Sequence, residues 1–153
     1  MAQFGKTSLE RLESCESDLQ VVMKEVIKYF DCTIVSGHRP PEEQFELYKK
    51  GRKEVNGEWV IVDKSKVVTY KDGTIKKSKH NEFPSKAVDV MPYPIDWKDN
   101  ERITYLAGFI MATARIFKDR GIIDSHITWG NDWDNDTITK DERFSDRPHY
   151  QIM

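Results

Sequence analysis

The sequence lacks several features that would place it in a common class of proteins. Its 153 residues include only two cysteines, Cys15 and Cys32, which are too few for a disulfide framework and lack the paired spacing of a thiolate zinc site. No segment is apolar enough to span a bilayer, and the first residues have neither the apolar core nor the cleavage site of a secretory signal. We therefore expect synthesis in a reduced cytosol and no stable membrane association.

An excess of charge of one sign is also missing. The 24 basic and 26 acidic side chains give a formal net charge of -2, so no overall field favours nucleic acid or an anionic membrane as a partner. The length suits one domain with its own core, and neither repeats nor linkers divide the chain. We expect a single, monomeric domain over 1–153 with one active site.

Hydrophobic periodicity predicts an α+β fold. Helical spacing over 8–30, with Ser8 as the N-cap and a break near 14–17, predicts an N-terminal helical part. The remaining pattern predicts helices at 40–48 and 103–117 and strands at 32–36, 87–90, 127–129 and 150–152. Between 57 and 77 two β-favouring runs, 59–62 and 67–70, precede a Lys-Asp-Gly turn, and we interpret this part as a lysine-rich hairpin or flap inserted into the domain.

Candidate metal ligands stand in the connections between these elements. His80 lies in a loop, and Asp89 follows nine residues later on a predicted strand. His149 offers a second imidazole at the edge of the last strand. Two imidazoles and a carboxylate are ligands that Zn²⁺ accepts, and three protein ligands leave one position for water, as in catalytic rather than structural sites. The sequence therefore predicts one zinc ion per chain.

Hydrolysis at such an ion also needs a base and a positive group for the developing oxyanion. Asp146 lies three residues before His149 across a proline-containing turn, where it can reach the water without being a ligand. Arg39 stands at a strand-to-helix junction, where its guanidinium can stabilise the oxyanion or bind a substrate carboxylate. Ser78, Asn81 and Ser85 are expected to orient His80 and its loop.

Four motifs, taken together, resemble those of the zinc peptidase family that contains D-alanyl-D-alanine carboxypeptidases and L-alanyl-D-glutamate endopeptidases. In order they are Ser36-Gly-His-Arg39, Ser78-Lys-His-Asn81 with Pro84-Ser-Lys-Ala-Val-Asp89, Trp129-Gly-Asn-Asp-Trp133, and Asp146-Arg-Pro-His149. The chain is most similar to the small bacteriophage endolysins of that group. The motifs extend over almost the whole chain, although His and Asp stand nine apart rather than the commoner seven, and His38 replaces a frequent tyrosine.

This resemblance implies a fold and a set of roles. The fold is a small, mainly antiparallel sheet flanked by helices, as in D-Ala-D-Ala peptidases and hedgehog-type domains. His80, Asp89 and His149 would hold zinc, Asp146 would be the base, and Arg39 would bind the substrate or transition state. Cleft positions are expected for Trp129, Asp132 and Trp133.

Several functions remain open at this point. The first is a phage endolysin that cuts the stem peptide of peptidoglycan between L-alanine and D-glutamate, made in the host cytoplasm and admitted to the wall by a separate membrane-permeabilising protein. The second is a D,D-carboxypeptidase that removes a terminal D-alanine, and the third is a non-catalytic zinc module of a virion. The acidic string Asp132-Trp-Asp-Asn-Asp136 weakly suggests Ca²⁺ as well, although the glycine and terminal glutamate of an EF-hand are missing.

Overall fold

A computed structural model describes all residues, 1–153, as an α+β domain in which helices pack on an antiparallel sheet. The helices are α1 (Lys6–Glu13), α2 (Ser17–Val26), α3 (Pro41–Lys49) and α4 (Asn100–Asp119), and the strands are β1 (Cys32–Ser36), β2 (Arg52–Val55), β3 (Glu58–Ile61), β4 (Ala87–Pro92), β5 (Ile127–Trp129) and β6 (His149–Ile152). The predicted fold class is confirmed. No helix is both long and apolar enough to cross a membrane.

The core lies between the sheet and helices α1, α2 and α4. Leu12, Leu19 and Val22 are fully buried, as the helical spacing predicts, and Ile110 meets them from α4. The expected N-cap at Ser8 is wrong, because α1 begins one turn earlier with Gly5 as its cap. Ser8 is instead buried within the helix, and its hydroxyl accepts a hydrogen bond from the amide of Ile34 at 3.2 Å.

The main sheet has the strand order β1-β4-β6-β5, with every neighbouring pair antiparallel. Val88 and Val90 of β4 point into the core, and alternation therefore turns Asp89 toward the opposite face. Asp89 lies between two cross-strand partners, Ser36 of β1 and His149 of β6. This register places a carboxylate and an imidazole side by side on the face that the core helices leave free.

The inserted hairpin is real but lies earlier than the sequence pattern predicts. Strand β2 pairs with β3 across a turn at Asn56-Gly57, where both residues have positive φ, as a type I′ turn requires. The run 67–70 is not a strand, so the expected 57–77 hairpin is wrong in its bounds. Hereafter the arm means 50–77, the part that contains this hairpin and the irregular chain after it.

Candidate functional site

Three potential metal-binding atoms converge at the free face of the sheet. The Nε2 atom of His80 lies 3.3 Å from Oδ1 of Asp89 and 3.3 Å from Nδ1 of His149, and the last two atoms are 3.2 Å apart. Nitrogen and oxygen ligands about 2.0–2.1 Å from a tetrahedral zinc ion stand about 3.3–3.4 Å from one another. The triangle of donor atoms therefore fits an ion of that size.

The local sequence explains how His80 reaches this triangle. Lys79–Asn81 forms one 3-10 turn, with the Ser78 hydroxyl accepting from the His80 amide and the Asn81 carboxamide oxygen accepting from the Ser78 amide. The Asn81 side chain also donates to the carbonyl of Arg39. Ser78 and Asn81 thus fix the loop from both ends, and that they orient His80 for a ligand stays a prediction.

The tautomers of both histidines follow from their other ring atoms. Nδ1 of His80 lies 2.8 Å from the Gly37 carbonyl, which only accepts, so the Nδ1 atom carries the proton. Nε2 of His149 lies 2.9 Å from Oε1 of Gln151, which fixes its proton in the same way. Two bare ring nitrogens and the Asp89 carboxylate therefore face one another, an arrangement that a shared proton or a metal ion would stabilise.

Without a metal ion, the pKa values of Asp89 and His149 are shifted in opposite directions. Burial alone raises the pKa of Asp89, but hydrogen bonds and charge from His149 and His80, present when these rings carry a proton toward it, outweigh burial and hold that pKa far below the usual value. Burial lowers the pKa of His149, yet the hydrogen bond and charge of Asp89 outweigh it and raise the pKa above its ordinary value. A proton on His149 is the cation that a metal ion would displace.

Asp146 lies next to the triangle without being part of it. Its Oδ2 atom is 3.9 Å from Nδ1 of His149, and the carboxylate keeps 42% of its side-chain surface exposed. Burial and then the charge of Asp89 raise the pKa of Asp146, while His149, His80 and Arg39 oppose the shift. The position and the raised pKa suit a group that exchanges protons beside a metal-activated water.

A glycine allows the Asp146 loop to approach the sheet. The Asp146 amide donates to the Gly130 carbonyl, and a Cβ on Gly130 would stand 2.1 Å from the carbonyl oxygen of Asp146. The Trp129 indole donates to the carbonyl of Arg147 at 2.6 Å and ties the same loop from below. Trp129 is only 5% exposed, so it supports the cleft rather than lining it.

Arg39 lies on the other side of the triangle. Its Nη2 atom is 3.8 Å from Oδ2 of Asp89 and donates to the Ser36 hydroxyl, while Nη1 donates to Oε1 of Gln44. The guanidinium side chain is 15% exposed, so it is largely desolvated but still open to the cleft. The predicted residues His80, Asp89, His149, Asp146 and Arg39 are therefore brought together around one point.

The other predicted site residues have different surroundings. Ser85 is fully buried, and its hydroxyl bonds to the backbone of Ala87. The Trp133 ring lies beside His149, with ring centroids 5.7 Å apart. Asp132 is not part of the triangle, and its carboxylate accepts from the Thr137 amide.

Sequence reasoning missed two residues. Gln151 stands two positions after His149 on the same strand, so period-two alternation puts both side chains on one face, and that signal was present. Gln44 is fully buried in the first turn of α3, where the sequence pattern predicts an exposed polar residue. No local signal distinguishes it from its exposed neighbours.

Carboxylates of the acidic string form a second cluster. Oxygen atoms of Asp132, Asp134 and Asp136 lie within 4.8 Å of one another, and only Asp132 is buried. Amides of Thr137, Asp136 and Ile138 already donate to these carboxylates. Binding of Ca²⁺ here stays a prediction.

Comparison with known proteins gives the family and the fold of the chain. The family described as phage L-alanyl-D-glutamate peptidase matches residues 1–153. The crystal structure of the Serratia marcescens L-Ala D-Glu endopeptidase ChiX is similar in fold, with a TM-score of 0.63 and 20% identity over 99% of this chain and 90% of that one. No curated protein gives a significant match. Since the family match covers the full length, this chain belongs to the phage L-alanyl-D-glutamate peptidase family.

Proposed function

We propose that this protein is a zinc-dependent endolysin that hydrolyses the bond between L-alanine and D-glutamate in peptidoglycan stem peptides. The observation that carries the proposal is the triangle of two bare imidazole nitrogens and a carboxylate, with Asp146 and Arg39 beside it. The bond comes from the family to which the chain belongs.

The donor set favours zinc over other divalent ions. Two imidazoles and one carboxylate, without thiolates, suit Zn²⁺ in a catalytic site, whereas Mg²⁺ and Ca²⁺ prefer sites made of oxygen atoms. His80, Asp89 and His149 would hold the ion. When bound, zinc supplies Lewis acidity, which lowers the pKa of a coordinated water and polarises the scissile carbonyl.

Asp146 then acts as the proton carrier. In its ionised form it accepts a proton from the attacking water, and the same carboxyl group returns that proton to the leaving amine of D-glutamate. Partial burial supports this role, because a raised pKa brings the two protonation states closer in energy at neutral pH. The Oδ2 atom of Asp146 lies 3.9 Å from Nδ1 of His149, and so beside a water bound at the triangle, but Asp146 is not one of the three residues whose donor atoms all lie within 4.8 Å of one another.

Arg39 supplies a fixed positive charge on the opposite side. Three contacts, to Gln44, Ser36 and Asp89, hold its guanidinium in place. A preorganised charge of this kind stabilises the oxyanion that forms during attack or binds a carboxylate of the stem peptide.

Digestion of purified peptidoglycan tests the proposal. Mass spectrometry of the products is expected to show stem peptides that begin with D-glutamate, while L-alanine stays attached to the sugar. Release of single D-alanine would instead identify a D,D-carboxypeptidase. If the zinc-loaded protein gave no product, the proposal would be overturned, and the non-catalytic virion module would be the remaining function.

The cellular route is part of the same proposal. We propose accumulation in the host cytoplasm and entry to the wall through a separate membrane-permeabilising protein. Expression with and without a pore-forming protein checks this, because lysis is expected only when both are present. Lysis by the peptidase alone would contradict it.

Replacement of Gln151 by leucine is expected to lower zinc affinity about 10–100-fold, because His149 loses the acceptor that fixes its tautomer. Competition with a chromophoric chelator measures the change. Gln20→Leu is the matched control, since Gln20 lies outside the site and bonds to the Cys15 carbonyl. Equal affinity of Gln151→Leu and the wild-type protein would contradict the assigned tautomer.

Zinc affinity is expected to fall as pH falls. Because the pKa of His149 is raised in the metal-free protein, this histidine is protonated at a higher pH than an ordinary one, and zinc must displace that proton. Below this pKa each unit of pH is expected to weaken binding by about tenfold. Chelator competition from about pH 8 to about pH 5 measures the slope. An affinity independent of pH would contradict the prediction.

A further inference from the structure

Gln44 is the one fully buried glutamine, and its carboxamide contacts both the active site and the arm. Oε1 accepts from Nη1 of Arg39 at 2.9 Å and from Nδ2 of Asn81 at 3.4 Å. Nε2 donates to Oγ1 of Thr69 at 3.3 Å and to the carbonyl of Lys71 at 2.9 Å. Both hydrogens and both lone pairs of the amide are therefore used.

The orientation of this amide is determined by its partners. Arg39 and the Asn81 amino group can only donate, and the Lys71 carbonyl can only accept, so a flipped amide would lose three of the four contacts. Complete burial excludes water as a replacement partner. The backbone of Gln44 is fixed as well, because its N–H donates to the Pro40 carbonyl in the first turn of α3.

The arm is packed closely against this point. Gly73 has φ of +90°, and a Cβ there would stand 2.9 Å from Cβ of Gln44 and 2.9 Å from the Pro41 carbonyl oxygen. Asp72 closes the turn by accepting hydrogen bonds from the amides of three residues, Thr74, Ile75 and Lys76. Gln44 thus receives a rigid neighbour on the side opposite Arg39.

We propose that Gln44 is the positioning residue for Arg39, and that the arm buries the opposite side of its carboxamide. Gln44 makes the shortest contact to the guanidinium, at 2.9 Å, compared with 3.2 Å for Ser36 and 3.8 Å for Asp89. The Gln44 carboxamide is itself held by hydrogen bonds to Asn81, Thr69 and Lys71. Without it, Arg39 can turn toward Asp89, to which it lies 3.8 Å away, and its charge would then be directed at a metal ligand rather than at the substrate. The proposal rests on the role of Arg39 given under Proposed function.

A double-mutant cycle tests the proposal with a soluble muropeptide as substrate. Gln44→Met keeps the length of the side chain and removes its polar atoms. It is expected to lower kcat/KM about tenfold. The loss is expected to fall on kcat and on KM in the same proportions as in Arg39→Ala. In the Arg39→Ala background, Gln44→Met is expected to change kcat/KM less than about twofold, because there is no guanidinium left to orient.

Thr69→Val is the matched control. It removes one contact on the arm side of Gln44 and leaves the bond to Arg39, so kcat/KM is expected within about twofold of the wild-type value. The proposal would be overturned if Gln44→Met lowered kcat/KM equally in the wild-type protein and in Arg39→Ala. It would also be overturned if Thr69→Val lowered kcat/KM as much as Gln44→Met, because Gln44 would then serve only the packing of the arm. If Gln44→Met does not fold, Gln44→Asn replaces it, since its amide is one methylene too short to reach Arg39.

The controls separate this inference from the proposed function. Wild-type protein that does not cut the muropeptide, or Arg39→Ala with full activity, refutes the proposed function and the role of Arg39. If the wild-type protein is active and Arg39→Ala is impaired, but the effects of Gln44→Met and Arg39→Ala on kcat/KM are additive, only the positioning role of Gln44 is refuted. Zinc content measured for every variant confirms that the differences arise at Arg39 and not from loss of metal.

Discussion

Asp146→Ala is expected to retain zinc but to lose wall digestion by about 10²–10⁴-fold, the usual contribution of a positioned proton carrier. The physical reason is that Asp146 is not one of the three donors and its Oδ2 atom lies 3.9 Å from Nδ1 of His149, so it can be removed without opening the triangle. Zinc analysis and turbidity of outer-membrane-stripped cells measure the two properties.

Asp141→Ala is the matched control for this substitution. Asp141 is an exposed aspartate in the same loop, five residues before Asp146, and no hydrogen bond joins its side chain to the site. It is expected to lyse cells at the wild-type rate. Lysis by Asp146→Ala at the rate of Asp141→Ala would mean that another group carries the proton.

The chemistry of the site could be predicted from the sequence more completely than its geometry. Few residue types bind zinc, so His80, Asp89 and His149 could be singled out by side-chain type and order alone. Their approach to one another depends on strand register, because Asp89 and His149 meet only when β4 and β6 pair at that position. A shift of one residue would turn Asp89 into the core.

The arm shows where local pattern fails. The β-branched run Val67-Val68-Thr69 satisfies strand propensity, but its backbone bonds to side chains, since the Thr69 carbonyl accepts from Arg52. The Asn56-Gly57 pair is a strong hairpin signal that the prediction did not use, and it stands at the turn that joins β2 and β3. Reliance on apolar runs alone missed β2, whose residues Arg52–Val55 are mostly charged.

Buried polar residues explain the rest of the difference. Ser8 and Gln44 have the composition of exposed helix positions, yet the first bonds to the backbone of β1 and the second to Arg39. Each partner lies outside the helix that carries the polar residue, so the burial of these side chains follows only from the assembled fold. Helix periodicity can identify a core face, but it cannot identify a polar residue whose partner comes from elsewhere.

His149→Ala is expected to lose zinc binding and wall digestion together, because the ion would keep only His80 and Asp89 as protein ligands. Zinc at about 100 times its Kd stabilises a folded protein by about 2.7 kcal/mol, which is roughly 5–10 °C in Tm for a chain of this length. Calorimetry is therefore expected to show that shift for the wild-type protein and none for His149→Ala.

His126→Ala is the matched control, since His126 is an exposed histidine just before β5 and outside the triangle. It is expected to keep the zinc-dependent shift in Tm and full activity. The pair of variants also separates a lost ligand from a lost fold. If metal-free His149→Ala unfolds at the Tm of metal-free wild-type protein, the missing shift reports the ligand alone. A zinc-dependent shift of wild-type size in His149→Ala would mean that the ion binds elsewhere, and the assignment of the triangle would then be wrong.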